Sequence, residues 1–457
     1  MSRAVRSALG RWATWQAGSV NRRVFAAMVT VGGFTVLAKL AAVAKEVAVA
    51  YQFGTSDELD AFLIAFLVPQ FAVNVMWGSL NGALIPTYIQ VREQEGQGAA
   101  QRALSSLMVL SVGFVVALSV ILALTASYIL PLVASGFAAE KLALTHSLYY
   151  VLLSTLVLSG VATTWGAILN AEDRFALTAV APMATSIVTV IIVGVMAKHW
   201  GIYTLAVGTV GGALIETGLL GWGLTREGLS LIPKWHGMSP AAKQVVDLYR
   251  PAVAANFLMG STGLVSQSMA AMLGPGSVSA LAYGKKVTDL ILGVFGVSVG
   301  TAVLPHFSKM VSGENWRGLR RTLMTYVRLL LSITLPLMLA LIYFSDPIVK
   351  ILFQRGAFTE ANTQFVGLVQ AMYLLQVPAY VLSALLTRLI SALKAIHLLT
   401  WGTVINLCST IVLTYVLMQW FQVVGIALAT SAMFCISCGY LLVVSFRLMS
   451  EKAGERG

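Results

Sequence analysis

Residues 103–124 read ALSSLMVLSVGFVVALSVILAL, a run of 22 residues without a single charged side chain. A helix needs about 20 mostly apolar residues to cross a hydrocarbon core of about 30 Å, so this run alone can span a membrane. The rest of the chain has the same character, since 58% of its 457 residues are hydrophobic, 11% are charged and the mean hydropathy is +0.83. Soluble domains do not have this composition, and the sequence predicts an all-α, polytopic membrane protein.

Twelve apolar runs of this kind follow one another along the chain, and each predicts one membrane-spanning helix. They cover residues 24–51, 61–87, 103–133, 143–169, 175–197, 202–224, 248–273, 278–304, 322–344, 363–393, 398–418 and 423–446. An even number of spans places both termini on the same side of the membrane.

The positions of the basic residues explain the formal net charge of +12 without nucleic acid. Lysine and arginine are concentrated in the N-terminal arm, in every second connection and in the C-terminal tail. The intervening connections hold four basic residues, which are Lys141, Lys198, Lys350 and Arg355. Since short cytoplasmic loops carry the excess of positive charge, we expect both termini to be cytoplasmic in a bacterial cytoplasmic membrane. No small-residue cleavage site follows the first apolar run, which we interpret as a retained helix.

An internal repeat divides the chain into halves. Asp60-Ala-Phe-Leu opens the second span and Ser279-Ala-Leu-Ala opens the eighth, 219 residues later. Each of these spans closes on Ala-x-x-Pro, 26 residues after its start, and a glycine turn precedes each one, at Gly54 and Gly274. Repeats of this kind are common in transporters.

The repeat predicts the domain organisation. Because it covers six helices, an even number, the two halves have the same orientation and are related by an axis along the membrane normal. We therefore expect two six-helix lobes around a central cavity. The predicted segments are a basic cytoplasmic arm at 1–23, an N-terminal lobe at 24–224, a cytoplasmic linker at 225–247, a C-terminal lobe at 248–446 and a cytoplasmic tail at 447–457.

Ionisable side chains inside the spans carry the functional information, because each costs about 2.5–3.5 kcal/mol on insertion. Lys39 and Lys45 lie in the first span. Lys285, Lys286 and Asp289 lie in the eighth, where spacings of three and four residues put the aspartate on the face of both lysines. Two interpretations stay open, a paired structural cluster and a cation-lined cavity that receives an anion.

Two polar residues of the second span complete the candidate set. Asp60 begins this span, where it could cap its own helix or face the cavity. Asn74 lies inside the span and is a candidate for hydrogen bonding between helices or to a substrate. A cationic cavity in an apolar protein favours an amphiphilic anion, and a phosphate or diphosphate is the natural partner of lysine.

Cysteine and histidine patterns give no support to an enzyme. Cys408, Cys435 and Cys438 all lie in predicted spans, and the Cys-x-x-Cys spacing lacks the βαβ context of a redox motif. No histidine belongs to a metal-ligand pattern, and no connection between spans exceeds about 25 residues. We therefore expect no catalytic residues, no metal, no cofactor and no nucleic acid, with transport driven by protons, sodium or the membrane potential.

Four ordered blocks of this sequence are similar to the MurJ/MviN family of lipid II flippases, whose superfamily includes O-antigen flippases and multidrug exporters. The blocks are FGTSDELDAF at 53–62 with Ala65-Phe66 and Pro69, GAILN at 166–170 with Arg174-Phe175, GSVSAL at 276–281 with Gly296, Leu304-Pro305 and Ser308, and FQRGAFT at 353–359. The similarity covers most of the chain.

The resemblance implies a cavity for a lipid diphosphate, lined in the family by arginines of the first, second and eighth helices and by an acidic residue at the start of the second. The positions here are Lys39, Lys45, Lys286 and Asp60. The second helix departs from the family, because Ala72-Val-Asn74 replaces adjacent arginines and Trp77 replaces an acidic residue. The last two of the family's fourteen helices are not among the twelve predicted spans.

The sequence as a whole predicts a flippase that moves an undecaprenyl-diphosphate-linked glycan to the outer leaflet by alternating access. The glycan would be lipid II or a related exopolysaccharide or cell-envelope precursor. Expected partners are this lipid-linked glycan, membrane lipid and glycan-assembly enzymes. The predicted substrate-binding residues are Lys39, Lys45, Asp60, Asn74, Ser279, Lys285 and Lys286. The alternative is a drug or metabolite antiporter of the same superfamily, which would favour acidic cavity residues.

Overall fold

The computed structural model describes residues 20–454 except 173, 229, 230, 232 and 233. All regular secondary structure in these residues is helical. The predicted N-terminal arm lies almost entirely outside the described residues. An α-helix satisfies its backbone hydrogen bonds internally, which is why apolar sequences of this length adopt it in a membrane.

Among the described residues, eight helices precede the predicted linker. They are α1 (Val20–Phe53), α2 (Asp57–Glu95), α3 (Gln97–Leu124), α4 (Ala126–Val133), α5 (Ala139–Ala171), α6 (Phe175–Val180), α7 (Met183–Trp200) and α8 (Tyr203–Arg226).

The second part forms the remaining helices of the described chain. They are α9 (Pro240–Ala271), α10 (Ser277–Ser312), α11 (Trp316–Tyr343), α12 (Ser345–Phe353), α13 (Glu360–Leu374), α14 (Val377–Ala392) and α15 (Ile396–Gly454).

Every predicted span coincides with one or more of these helices. Among the described residues, nine helical stretches are long and apolar enough to cross a membrane. The last of them, Ile396–Lys452, contains the final two predicted spans, because α15 bends at Gln422, whose φ of 52° and ψ of −132° are not helical. α1 and α9 are also long, at 34 and 32 residues. The all-α, polytopic membrane fold is confirmed.

Prolines explain where single predicted spans become two helices. The fifth span breaks between α6 and α7 at Pro182, and the tenth breaks between α13 and α14 just before Pro378. Proline lacks the N–H that would continue the helical ladder, so a break or kink near it is expected. The third predicted span also ends early, at Leu124, and continues as α4 after Thr125.

The chain divides into two compact units, each with its own packing. The first contains Met76–Ala123, Val151–Arg250 and the described residues up to Val49. Here α7 and α8 pack closely, because glycines of α8 face threonines of α7; a Cβ on Gly208 would lie 2.9 Å from the Cα of Thr189. Small residues at such contacts let two membrane helices approach.

The second unit contains Ala50–Val75, Leu124–Tyr150 and Pro251–Gly457. Its core packs α10 against α13 and α14, and α14 against α15, around fully buried side chains that include Phe307, Leu323 and Leu385. The lobe boundaries predicted from the repeat stay a prediction. Between the helices, α8 continues to Arg226 and α9 starts at Pro240, both within the predicted linker at 225–247.

Candidate functional site

Asp60 joins two helices that lie far apart in the sequence. Its carboxylate accepts two backbone hydrogen bonds at the start of α10, from Gly276 N to Oδ2 and from Ser279 N to Oδ1, both 2.8 Å long. Its side chain is 1% exposed. A carboxylate at this position satisfies N–H groups that have no partner within the helix and complements the positive end of the helix dipole.

Asp60 caps the N-terminus of α10 and not that of its own helix, α2. In α2 the capping oxygen belongs to Ser56, whose hydroxyl accepts a 3.2 Å hydrogen bond from Leu59 N. Asp60 lies one turn into α2, so its carboxylate is free to reach α10. The sequence could not separate these alternatives, because a carboxylate in a first turn is favourable in either arrangement.

Lys141 supplies the countercharge that a buried carboxylate needs. Its ammonium lies 3.2 Å from Asp60 Oδ2, also pairs with Asp57, and lies 4.1 Å from the ring centroid of Phe137. Two N–H donors and one cation together offset the cost of removing the Asp60 carboxylate from water. The sequence analysis missed Lys141 as a site residue, although it is one of few basic residues in the predicted external connections.

Ser279 lies inside this arrangement and is fully buried. Its Oγ donates to Gly276 O at 3.1 Å, while its backbone N–H binds Asp60. Asp60 and Ser279 are the equivalent positions of the predicted repeat, which itself stays a prediction. We call Asp60, Lys141, Gly276 and Ser279 the Asp60 cluster.

Close backbone packing continues beside the Asp60 cluster. A Cβ on Gly54 would lie 2.5 Å from Ala357 O, and one on Gly276 would lie 2.6 Å from Thr55 O. Both glycines have positive φ, 54° and 77°, so a side chain would be strained there as well as crowded. In the second half of the repeat, the glycine with positive φ at this turn is Gly276. The predicted turn glycine, Gly274, lies two residues earlier, and a Cβ there would meet open space.

Residues 353–358 complete this packed region. Ala357 N donates to Tyr51 O at 2.8 Å, and the rings of Phe353 and Phe358 lie 5.0 and 5.5 Å from that of Tyr283. Three of the four blocks that carry the family resemblance, at 53–62, 276–281 and 353–359, thus meet in one place.

A cavity of about 450 Å³ lies within the second unit, between α9, α10, α13, α14 and α15. Lys285 and Asp289 of α10 line it and form an ion pair at 3.7 Å, with side chains 45% and 51% exposed. Gln267, Gln376 and Tyr380 are also in the wall. The predicted pairing of Asp289 with a lysine is confirmed for Lys285, while the adjacent Lys286 is half-buried and is not among the lining residues described.

The remaining candidates occupy different surroundings. Lys39 is exposed on α1, whereas Lys45 forms a 3.2 Å ion pair with Glu46. Asn74 is exposed on α2, and its Oδ1 accepts a 3.1 Å hydrogen bond from Gln70 Nε2. Lys39 and Lys45 belong to the first unit and the other five candidates to the second. The side chain of Trp77 lies outside the described residues.

A second polar cluster, in the first unit, was not predicted. Glu172 accepts a 2.7 Å hydrogen bond from the Tyr88 hydroxyl and pairs with Arg92 at 3.2 Å, joining α2 to the end of α5. Tyr88 lies beyond the predicted span of α2. Burial raises the pKa of the Tyr88 hydroxyl, and the hydrogen bond to Glu172 raises it further. Tyr88 therefore stays a neutral donor, and the cluster fastens two helix ends.

These features define the class of the molecule as a multi-pass, all-α membrane protein with charged residues retained in an internal cavity. Residues 49–452 match the family model described as lipid II flippase MurJ. The chain belongs to this family, which is one of transporters and not of enzymes.

Curated relatives carry the same description. A probable lipid II flippase MurJ of Rhizobium meliloti (strain 1021) is 27% identical over 365 residues, which are 77% of this chain and 68% of that protein. The lipid II flippase MurJ of Burkholderia cenocepacia is 26% identical over 359 residues, covering 77% of this chain and 70% of the relative.

Solved structures share the fold. A lipid II flippase MurJ in an inward closed conformation matches with a TM-score of 0.79 and 23% identity, over 93% of this chain and 90% of that one. An inward-facing multidrug resistance MATE family transporter matches with a TM-score of 0.76 and 12% identity, over 93% and 99% of the two chains.

Proposed function

We propose that this protein is a flippase that carries an undecaprenyl-diphosphate-linked glycan from the inner to the outer leaflet of a bacterial cytoplasmic membrane. Membership of the lipid II flippase MurJ family supports the reaction. Lipid II is the first candidate substrate, and a related exopolysaccharide or cell-envelope precursor is the second. Both consist of an apolar chain, a diphosphate and a polar glycan.

One observation carries the proposal, the cavity of about 450 Å³ that holds Lys285 inside a membrane-spanning helix. A charged side chain at such a depth persists because a cavity or a partner solvates it. Asp289 balances Lys285, and Lys286 on the next position adds one positive charge to this stretch of α10. A diphosphate would compete with Asp289 for the Lys285 ammonium.

The other groups in the cavity wall suit the glycan. Gln267 and Gln376 carry amides, Thr262 and Thr410 carry hydroxyls, and Tyr380 carries an aromatic ring. Amides and hydroxyls fix the orientation of a polar ligand, while apolar and aromatic groups supply contact area. No step of this transport requires bonds of the substrate to be made or broken.

The Asp60 cluster supports alternating access by holding one end of the transport path closed. Opening would require release of two backbone hydrogen bonds and of the Lys141 ion pair. A ligand shifts the equilibrium between the closed and the open state only if it binds one of them more tightly. The diphosphate must therefore bind these two states with different affinities. Protons, sodium or the membrane potential would drive the cycle.

The test is accumulation of the lipid-linked precursor in cells that depend on this protein. We expect Lys285→Ala, Lys286→Ala to block export while the protein remains folded in the membrane. Arginine at the same positions should keep partial function, because the charge remains and the geometry changes. Lys350→Ala is the matched control, since Lys350 is an exposed lysine of the short helix α12. Normal export by the double alanine variant would contradict the role of these lysines.

An antiporter of drugs or metabolites is the second candidate, favoured by the fold shared with the MATE family transporter. It would raise resistance to cationic compounds without affecting envelope precursors. Depletion of the protein distinguishes the two, because only a flippase leaves the precursor on the cytoplasmic side. The flippase proposal includes contacts with glycan-assembly enzymes. It also places both termini of the chain in the cytoplasm.

A further inference from the structure

A second cleft lies on the first unit, between the start of α3 and the linker that follows α8. It has a volume of about 230 Å³, several times the roughly 30 Å³ of one water molecule. Arg102, Lys234 and His236 line it, and no acidic side chain is among its described lining residues. The cleft is therefore a site of positive potential that could receive an anion.

Hydrogen bonds hold the linker in place on α3. Ser105 Oγ accepts from Lys234 N at 2.6 Å and lies 2.8 Å from Lys234 O, to which it can donate. Two residues further along the linker, His236 N donates to Ser106 Oγ at 3.1 Å. These contacts position Lys234 and His236 beside Arg102, so the basic groups converge on one cleft.

The inner wall of the cleft is aliphatic. It is formed by Leu104, Met108, Ile168 and Leu224, which come from three different helices and are buried. A free inorganic anion gains nothing from such a wall. A ligand with a phosphate at one end and methylene groups at the other would contact both parts of the cleft.

Neighbouring side chains place the cleft at the level of the membrane surface. Leu224 lies two residues from Trp222, whose ring is 3.8 Å from the guanidinium carbon of Arg226 at the end of α8. Trp222, Trp235 and Met238 are 51%, 52% and 53% exposed. Tryptophan and basic residues at the end of an apolar span are typical of the interface between lipid tails and water.

We propose that this cleft binds the headgroup of an anionic phospholipid of the leaflet it faces. The phosphate pairs with Arg102 and Lys234, the first methylene groups contact the aliphatic wall, and Trp235 and Met238 insert among neighbouring lipids. The linker between the two halves of the repeat is thereby attached to the membrane surface. This proposal does not depend on the glycan that the protein carries.

Native mass spectrometry of the full chain in nonionic detergent tests the proposal. The ligands are dioctanoyl phosphatidylglycerol, dioctanoyl phosphatidylcholine and inorganic phosphate. We expect phosphatidylglycerol to bind most tightly, and Arg102→Ala, Lys234→Ala to weaken its first binding event roughly 30-fold, at about 1 kcal/mol for each basic residue. The control, Lys198→Ala, Lys350→Ala, removes the same charge at two exposed residues outside the cleft and should bind as the wild type does.

A third variant distinguishes the effect of the position of Lys234 from the effect of its charge. Ser105→Ala keeps every basic residue but removes the side chain that holds the Lys234 backbone, and we expect a several-fold loss of affinity. Equal binding of phosphatidylglycerol by the wild type and the double variant would overturn the site. Equal binding of the two lipids would overturn its selectivity for anions, and tighter binding of inorganic phosphate would overturn the lipid as its ligand.

Discussion

Asp60 accepts hydrogen bonds from residues 216 and 219 positions further along the chain. At the scale of single residues, this carboxylate caps the N-terminus of α10, which in most helices is done by a side chain adjacent in sequence. Because Asp60 is buried, replacing it should destabilise the fold. Each N–H that donates to Asp60 would lack an acceptor where water is excluded.

We expect Asp60→Ala to destabilise the protein, since Gly276 N and Ser279 N would lose their acceptor at about 1–3 kcal/mol for each buried group. Asp60→Asn keeps one acceptor oxygen and should have an intermediate effect. The measurement is the melting temperature of the purified protein in detergent. Asp57→Ala is the control, because Asp57 also pairs with Lys141 but is 51% exposed, where ion pairs contribute little. An unchanged melting temperature for Asp60→Ala would show that the cap does not stabilise the fold.

At the scale of elements, breaks in the helices decide how the apolar sequence is divided. Pro182 and Pro378 break predicted spans by removing a backbone donor, whereas Gln422 separates the last two by a positive φ of 52°. Nearby, a Cβ on Gly425 would clash with the backbone of Leu417, so the chain reverses within a tight turn. Non-glycine residues in this conformation are strained by about 1–3 kcal/mol.

We expect Gln422→Gly to raise the melting temperature, because glycine relieves this strain and costs only about 0.5–1 kcal/mol in backbone entropy. Gln419→Gly, three residues earlier in regular helix, carries the same chemical change and should lower the melting temperature. Both glutamine side chains are exposed, so lost packing contributes little to the change in melting temperature of either variant. A lower melting temperature for Gln422→Gly would indicate that the glutamine side chain itself holds the turn.

At the scale of the whole molecule, the distribution of basic residues predicts which connections face the cytoplasm. The start of α2 would be external and the linker before α9 cytoplasmic. Cysteine labelling tests this in intact cells, in a background that lacks Cys408, Cys435 and Cys438. Glu58 at the start of α2 and Gln244 in the predicted linker are exposed and suit the two positions.

We expect Glu58→Cys to react with an impermeant maleimide added from outside, and Gln244→Cys to react only after the cells are opened. The reason is that positively charged loops are retained on the cytoplasmic side during insertion. The reverse pattern of labelling would invert the topology and would place the phospholipid cleft on the outer leaflet.

The sequence by itself determined the class of the protein, the spans and the candidate charges. Runs such as 103–124 satisfy their backbone hydrogen bonds within one segment, so length and composition are enough to predict a membrane helix. The repeat offset of 219 residues aligns Asp60 with Ser279, and the structure brings these two residues into contact.

Only the tertiary structure decided what those residues touch. It assigned Asp60 to the start of α10, joined Lys141 to it, paired Lys285 with Asp289 and fastened the linker to Ser105 and Ser106. Except for Lys285 and Asp289, which share one helix face, these partners lie far apart in the chain. Their contacts depend on how helices pack, and a local pattern of apolar and polar residues does not contain that information.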